Sequence, residues 1–292
     1  MERRQLEYFV AIAEHGGFKN AARRLRIAQP SLSQAVRALE QDLGTQLFHR
    51  HSQGVTLTAA GQALIEPAQH ALRAFATARS RVDDVNGLLG GRLDIVALTT
   101  LAVDPLAQII GRFRQLHPLV DVRIDDPEQD SAVTDMVRTG RSEFGLTESA
   151  TSSEGLHKLR LPDQEYLAVL PPRVGLPPED SPITVEDLAE LPLIAPPPGT
   201  AMRALIDEQL TFGGVLPRVA IDTAHRAAIV PLVLAGAGAA VLPRTIADDA
   251  RLRGADVRAT VPPLTRQVFL VWRSALLSPA AAAFLKLIER QP

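Results

Sequence analysis

The chain has 292 residues, 46% hydrophobic and 22% charged, enough for two or three folded units with sizeable cores and too ordinary in composition for wholesale disorder. It contains no cysteine, which excludes disulfides, thiolate nucleophiles and cysteine-bound zinc or iron–sulfur centres. The net charge of −2 conceals an asymmetry: residues 1–58 hold eight Lys/Arg against five Asp/Glu, and residues 91–292 hold twenty against twenty-five. The first residues lack an apolar signal core and no apolar run is long enough for a membrane helix, so the expectation is a cytoplasmic protein with no membrane partner.

In the basic front, Leu6, Phe9, Val10 and Ala13 recur at helical spacing until Gly16-Gly17. A short helix is expected over Phe18–Leu25, and a third from Pro30 to Leu43, stopped by Gly44. At 100° per residue Leu32, Val36, Leu39 and Leu43 form one stripe of that helix, and Ser33, Gln34, Arg37 and Gln41 form the opposite one. Gln46–Arg50 and Val55–Thr58 read as a hairpin. Helix, short helix, turn, helix and hairpin make a winged helix-turn-helix, with the helix-turn-helix at about 18–37.

From Thr58, a fitting N-cap, one long helix is expected to about Leu89. Leu64, Ala68, Ala71, Phe75, Ala78, Val82 and Val85 alternate spacings of four and three along it, a heptad seam suited to pairing with a second copy, while its three small Ala residues also suit close packing on the helix's own domain. Pro67 falls in its first part, where proline removes one helical hydrogen bond.

Beyond Gly90-Gly91 the texture becomes βαβα, starting with a strand at Leu93–Leu98, and twenty of the twenty-two prolines appear. Further strands are expected at Val120–Ile124, Tyr166–Leu170, Leu193–Ala195, Val219–Ile221, Ala239–Leu242 and Val268–Trp272, and a last helix at Pro279–Arg290. That alternation predicts an α/β fold with helices on a mainly parallel sheet. Ligands of such sheets sit beyond strand carboxyl ends. This selects the junctions Thr99-Thr100, Thr147, Pro198 to Arg203 with Thr200 and Met202, and Thr223 with His225, where each Thr taken singly is more often a helix cap than a ligand contact. Arg203 and His225 would favour an acidic ligand, and Glu148 would oppose one. Gly236-Ala237-Gly238 follows a helix and precedes a strand, the reverse of a dinucleotide site. His49 and His51 have no third ligand nearby in sequence, so neither a metal nor a cofactor is expected.

The segments Gln5 to Glu14, Ala21-Ala22-Arg23-Arg24-Leu25, Gln29-Pro30-Ser31-Leu32-Ser33, Leu47-Phe48-His49-Arg50 and Leu57-Thr58-Ala59-Ala60-Gly61 together resemble the N-terminal domain of LysR-type transcriptional regulators. Phe113 to Pro118 and Val233 to Pro243 resemble landmarks of that family's effector domain. The resemblance implies a DNA-binding regulator acting as a homodimer or homotetramer on promoter DNA, with a small-molecule effector and RNA polymerase as partners. It implies residues 1–58 as the winged domain, 59–89 as the linker and dimerisation helix, and 91–292 as an effector domain resembling periplasmic binding proteins. Its lobes would be 91–161 with 267–292, and 162–266. Gln29, Pro30, Ser33, Gln34 and Arg37 would face the major groove, and Ser31, Arg50 and Thr58 the phosphates. Gly17 and Ala28 stand where the family usually has Ser or Thr, and Gln34 where it often has Arg. The rival reading is an enzyme on a small molecule with a fused DNA-binding domain, for which no nucleophile or cofactor constellation stands out.

Overall fold

A computed structural model describes residues 1–51, 54–85, 90–127, 130–148, 155–172, 181–211, 217–274 and 277–290. The first unit is α1 (Arg3–Glu14), α2 (Phe18–Leu25), α3 (Gln29–Leu43) and a hairpin of β1 (Phe48–His51) with β2 (Gly54–Leu57). Each helix contributes one apolar stripe to a shared core. Leu32, Val36 and Leu39 are fully buried, and the ring of Phe48 packs on those of Phe9 and Phe18 with centroids 5.3 and 5.7 Å apart. Leu43, expected in that stripe, is 40% exposed because the helix runs past the core in its last turn. Gly44 then ends α3 in the left-handed region, φ 68°, where a side chain would be strained.

The helix α4 (Ala59–Val85) begins where Thr58 Oγ1 accepts from the Gly61 N–H at 3.0 Å. Gly61 must be glycine, since a Cβ there would fall on the carbonyl oxygen of Leu47. That close approach seats the helix against the hairpin. Residues 86–89, the expected end of the helix, lie outside the described residues.

The remaining elements follow as β3 (Gly91–Ala97), α5 (Thr99–Leu101), a π-type turn at Ala102–Leu106, α6 (Ala107–Leu116), β4 (Val120–Asp125), α7 (Asp130–Arg138), β5 (Phe144–Thr147) and β6 (His157–Leu170). Then come β7 (Ile183–Thr184), α8 (Val185–Glu190), β8 (Leu193–Ala195), α9 (Ala201–Thr211), β9 (Val219–Asp222), α10 (Arg226–Leu234), β10 (Ala240–Pro243) and α11 (Arg244–Leu252). Short strands β11 (Asp256–Arg258) and β12 (Thr260–Val261), the long β13 (Leu264–Trp272) and α12 (Pro279–Glu289) complete the chain.

The main sheet runs β10-β6-β13-β5-β3-β4, with β11 also on β6. It is mixed. Among the described residues, β3 alone pairs in parallel within this sheet, with β4 and β5, while β13 and β6 pair antiparallel with each other and with their other neighbours; the parallel pairs β8–β9 and β7–β12 lie outside it. The expected mainly parallel sheet is therefore corrected. The reason is that β6 and β13 are long crossing strands, of which the sequence reading found only the apolar ends. One core, around Leu93, Phe113, Phe144 and Phe284, meets these strands at Leu161 and Val268; the cores beyond it meet them at Tyr166, Leu167 and Leu264. Two lobes thus share two continuous strands, and a β-bulge between Arg266 and Val268 marks the crossing.

Candidate DNA interface and effector cleft

On α3, Gln29, Pro30, Ser31, Gln34 and Arg37 are exposed and Ser33 is half-buried, the reverse face to Leu32, Val36 and Leu39. Ala28 caps the helix without a side-chain bond, and Pro30 occupies its first turn. Among the described residues, the Arg37 guanidinium has no protein partner. Thr58 is the N-cap of α4 that the sequence predicts, and its hydroxyl proton is given to Gln46 O at 2.7 Å, so the hydrogen a phosphate contact would use is already committed within the protein. Arg50 stands in β1, and its side chain lies outside the described residues. The sequence reading passed over Arg23, Arg24 and Arg26, which share an exposed patch with His15 and Asn20 at the end of α2. The signal was visible as three arginines in four residues.

The heptad seam of α4 splits in two. Ala68 is 1% exposed and, with half-buried Leu64 and Ala71, packs on the winged core of its own chain. The expectation that all seven seam residues serve a partner is corrected for Ala68, which α1 already covers. Farther along, Phe75 is 53% exposed, Val82 is 63% exposed and Ala78 is exposed; the side chain of Val85 lies outside the described residues. A different face of α4 lies on the first lobe. Arg73 stands 3.8 Å from Asp94, His70 contacts Arg273 at 3.1 Å, and Arg81 donates to Leu277 O at 3.2 Å. Burial lowers the pKa of both Arg73 and Arg273, and raises that of Glu143 beside them, against the opposing effects of a Ser278 hydrogen bond and the Arg73 charge.

Between the lobes is a narrow cavity of about 70 Å³. Thr99, Thr100 and Met202, three of the residues expected at a ligand, line it. Its walls are chiefly Val103, Ile194, Pro196, Ile229 and Leu242 with Met202, and half-buried Arg226 also lines it. Beneath it runs a buried polar network. Arg266, whose side chain is 3% exposed, pairs with Glu148 at 2.7 Å and donates to Thr100 Oγ1 at 3.1 Å. Tyr166 donates to Gln164 Oε1 at 2.7 Å, and Gln164 donates to Thr100 O at 3.1 Å. Burial pushes the Tyr166 hydroxyl up to about 12, the Arg266 charge opposing it, so it stays a neutral donor. This network fixes the crossing strands against the start of α5.

The other expected contacts are engaged elsewhere. Thr200 caps α9, accepting from Arg203 N at 3.3 Å and donating to Pro197 O at 2.9 Å; Thr223 accepts from His225 N at 3.1 Å. Thr99, although it lines the cavity, gives its hydroxyl to Asp126 at 2.6 Å. Arg203, expected to attract an acidic ligand, is held by Asp207 at 2.9 Å and stands 3.9 Å from Asp222. Thr147 is buried in β5, and neither it nor Pro198, Thr223 or His225 reaches the cavity wall.

Two family models cover the chain: the bacterial regulatory helix-turn-helix protein of the lysR family over residues 3–62, and the LysR substrate binding domain over residues 86–292. The chain belongs to the LysR family of transcriptional regulators. Among similar LysR-type regulators, TfdS of Cupriavidus pinatubonensis is 32% identical, the alignment covering 99% of this chain and 98% of TfdS. IlvR of Caulobacter vibrioides is 29% identical over 99% and 97% of the two chains. Full-length OxyR of Pseudomonas aeruginosa shares the fold at a TM-score of 0.74, with 22% identity over 99% of this chain and 95% of that one. CbnR, solved in complex with its target DNA, matches at 0.71 with 23% identity over the whole of both chains. This LysR regulator is a DNA-binding transcription factor carrying a substrate-binding domain. No described helix is long and apolar enough to cross a membrane.

Proposed function

We propose that this regulator reads a dyad-symmetric promoter site through the exposed face of α3 and alters its hold on that site when a small molecule occupies the cavity between the lobes. The observation that carries the reading is the pairing, in one chain, of an unpartnered arginine on a recognition-helix face with an apolar cavity lined from both lobes. Gln29, Ser33, Gln34 and Arg37 have the donors and acceptors to read base edges, and Ser31, Arg50 and the Arg23–Arg24–Arg26 patch supply phosphate contacts. Residues 1–58, 59–89 and 91–292 act as reader, dimerisation helix and sensor.

A second copy pairs along Phe75, Ala78 and Val82, an apolar row the chain leaves uncovered. RNA polymerase is the expected further partner and the cytoplasm the expected setting. The protein is a regulator and not an enzyme: Arg266 and Glu148, behind the cavity wall, neutralise each other and serve the crossing strands, and the charged lining residue, Arg226, is a binding group with no nucleophile or acid–base partner beside it among the described residues.

The experiment is selection of bound fragments from sheared genomic DNA by the purified protein, followed by sequencing. A recurrent dyad-symmetric site, lost on Arg37→Ala, is expected. Recovery of sequences without a common site overturns the reading.

A further inference from the structure

The cavity between the lobes has a chemistry of its own. Among the described residues, every lining residue apart from Thr99, Thr100 and Arg226 is apolar, none is aromatic and none is a carboxylate. Thr100 Oγ1 is already an acceptor for Arg266 and the Thr99 hydroxyl is given to Asp126. That leaves one charged group for a ligand.

Arg226 is the first residue of α10 and half-buried in the cavity lining. The other arginines around the cleft are neutralised within the chain: Arg203 by Asp207, Arg244 by Glu165 and Arg266 by Glu148. Among the described residues, the Arg226 guanidinium has neither an ion-pair nor a hydrogen-bond partner. A guanidinium kept unpaired beside an apolar, carboxylate-free cavity is a waiting half of a bidentate carboxylate contact. The positive end of the nine-residue α10 adds to the same field.

We propose that the cavity takes a short, non-aromatic aliphatic monocarboxylate. Its carboxylate pairs with Arg226, and its alkyl tail lies among Val103, Ile194, Met202, Ile229 and Leu242. This rests on the reading of that cavity as the effector site. The small volume suits a short branched tail, and apolar burial supplies the attraction for it. A ring would find no aromatic wall to stack on. A second carboxylate would enter an apolar space with no second free cation to meet it.

The test is calorimetric titration of the full-length protein with isovalerate, its neutral isostere isovaleramide, benzoate and methylsuccinate. Isovalerate is expected to bind at least tenfold more tightly than the other three. Arg226→Met should cost isovalerate tenfold or more and leave isovaleramide unchanged, a charge-specific readout that a merely structural role would not produce. Equal isovalerate affinity in wild type and Arg226→Met, a preference for benzoate or methylsuccinate, or no isovalerate binding at all overturns the ligand class. Val103→Trp, on the half-exposed rim, and Ile229→Trp, in the wall, fill the cavity and separate the two levels of the claim. Both are checked for folding by melting. If the preferred probe is blocked by filling, the cavity reading stands whatever the class; if isovalerate binds the filled variants as well as wild type, the cavity reading falls with it.

Discussion

The winged domain and the effector domain solve the placing of functional groups in opposite ways. In the winged domain, neighbours in sequence build the core and the reading face is what remains outside: one helix buries Leu32, Val36 and Leu39 and therefore presents Gln34 and Arg37. In the effector domain, the cavity is enclosed by residues from Thr99 to Ile246 that no local pattern links, assembled because β6 and β13 cross between lobes. A surface site follows from a helical period. An enclosed site follows from topology.

The largest expected effect separates the covered and uncovered halves of α4. Phe75→Glu puts a charge on the exposed apolar row, which should cost the dimer about 3–5 kcal/mol, counting the lost aromatic burial in both subunits and the unpaired charges. Ala68→Glu instead strikes the buried half of the seam and should unfold the winged domain without first changing subunit dissociation. Sedimentation across a concentration series distinguishes the two. A Phe75→Glu protein with wild-type association would mean that the uncovered row is not the subunit contact.

Next is the anchor of the crossing strands. Arg266→Met leaves Glu148 without its counter-ion and Thr100 without a donor, at a cost of about 3 kcal/mol, the low end for a broken buried pair because Glu148 keeps about a quarter of its surface. The loss should appear in the unfolding of the effector domain while DNA affinity of the folded protein stays intact. Calorimetry and a mobility-shift assay on the same sample test this. Reduced DNA affinity with unchanged unfolding would reverse the division of labour drawn here.

Within the winged domain, Arg37→Ala should lose about 2 kcal/mol on the specific site and relax its base preference. Arg24→Ala should weaken all sequences alike and reduce the salt slope by about one. Matching behaviour of the two variants in a salt series would collapse the distinction between reading and holding.

What was legible in the sequence follows the same division. The α3 face was readable because a period of 3.6 sorts residues into inside and outside, and Leu43 failed only where the helix outruns its core. The sheet was misjudged because Gln164 and Arg266, polar and buried, interrupt the apolar runs by which strands are recognised; both are buried only because they bond across lobes. Arg203 was a poor choice for a free cation, since Asp207 lies one helical turn on, a spacing visible in the sequence. Arg226 sits one residue beyond the expected junction at His225. Its lack of a partner is a three-dimensional property, and no motif announces it.

The smallest expected effect lies where the two regions meet. Glu143 of the effector domain is buried beside Arg73 of α4, with Arg273 and Asp94 also acting on it, and burial outweighs its hydrogen bond with Ser278 and the Arg73 charge. Its pKa in the folded protein is therefore above the usual 4.5. Between 4.5 and that raised value the folded state holds a proton that the unfolded state has released, so stability from this group is gained on acidification and declines as pH rises through the window. Glu143→Gln should remove that slope. Arg73→Met, which takes away a cation favouring the carboxylate, should instead carry the window to higher pH, because α4 brings Arg73 onto the first lobe. Chemical denaturation of the three proteins across pH 4–8 reads both effects. A slope unchanged in Glu143→Gln would assign it to another carboxyl, such as half-buried Asp104, whose pKa burial also raises; a window unmoved by Arg73→Met would show that helix and lobe are not in contact as described, and the two regions would then have to communicate through the strand end at Gly91 instead.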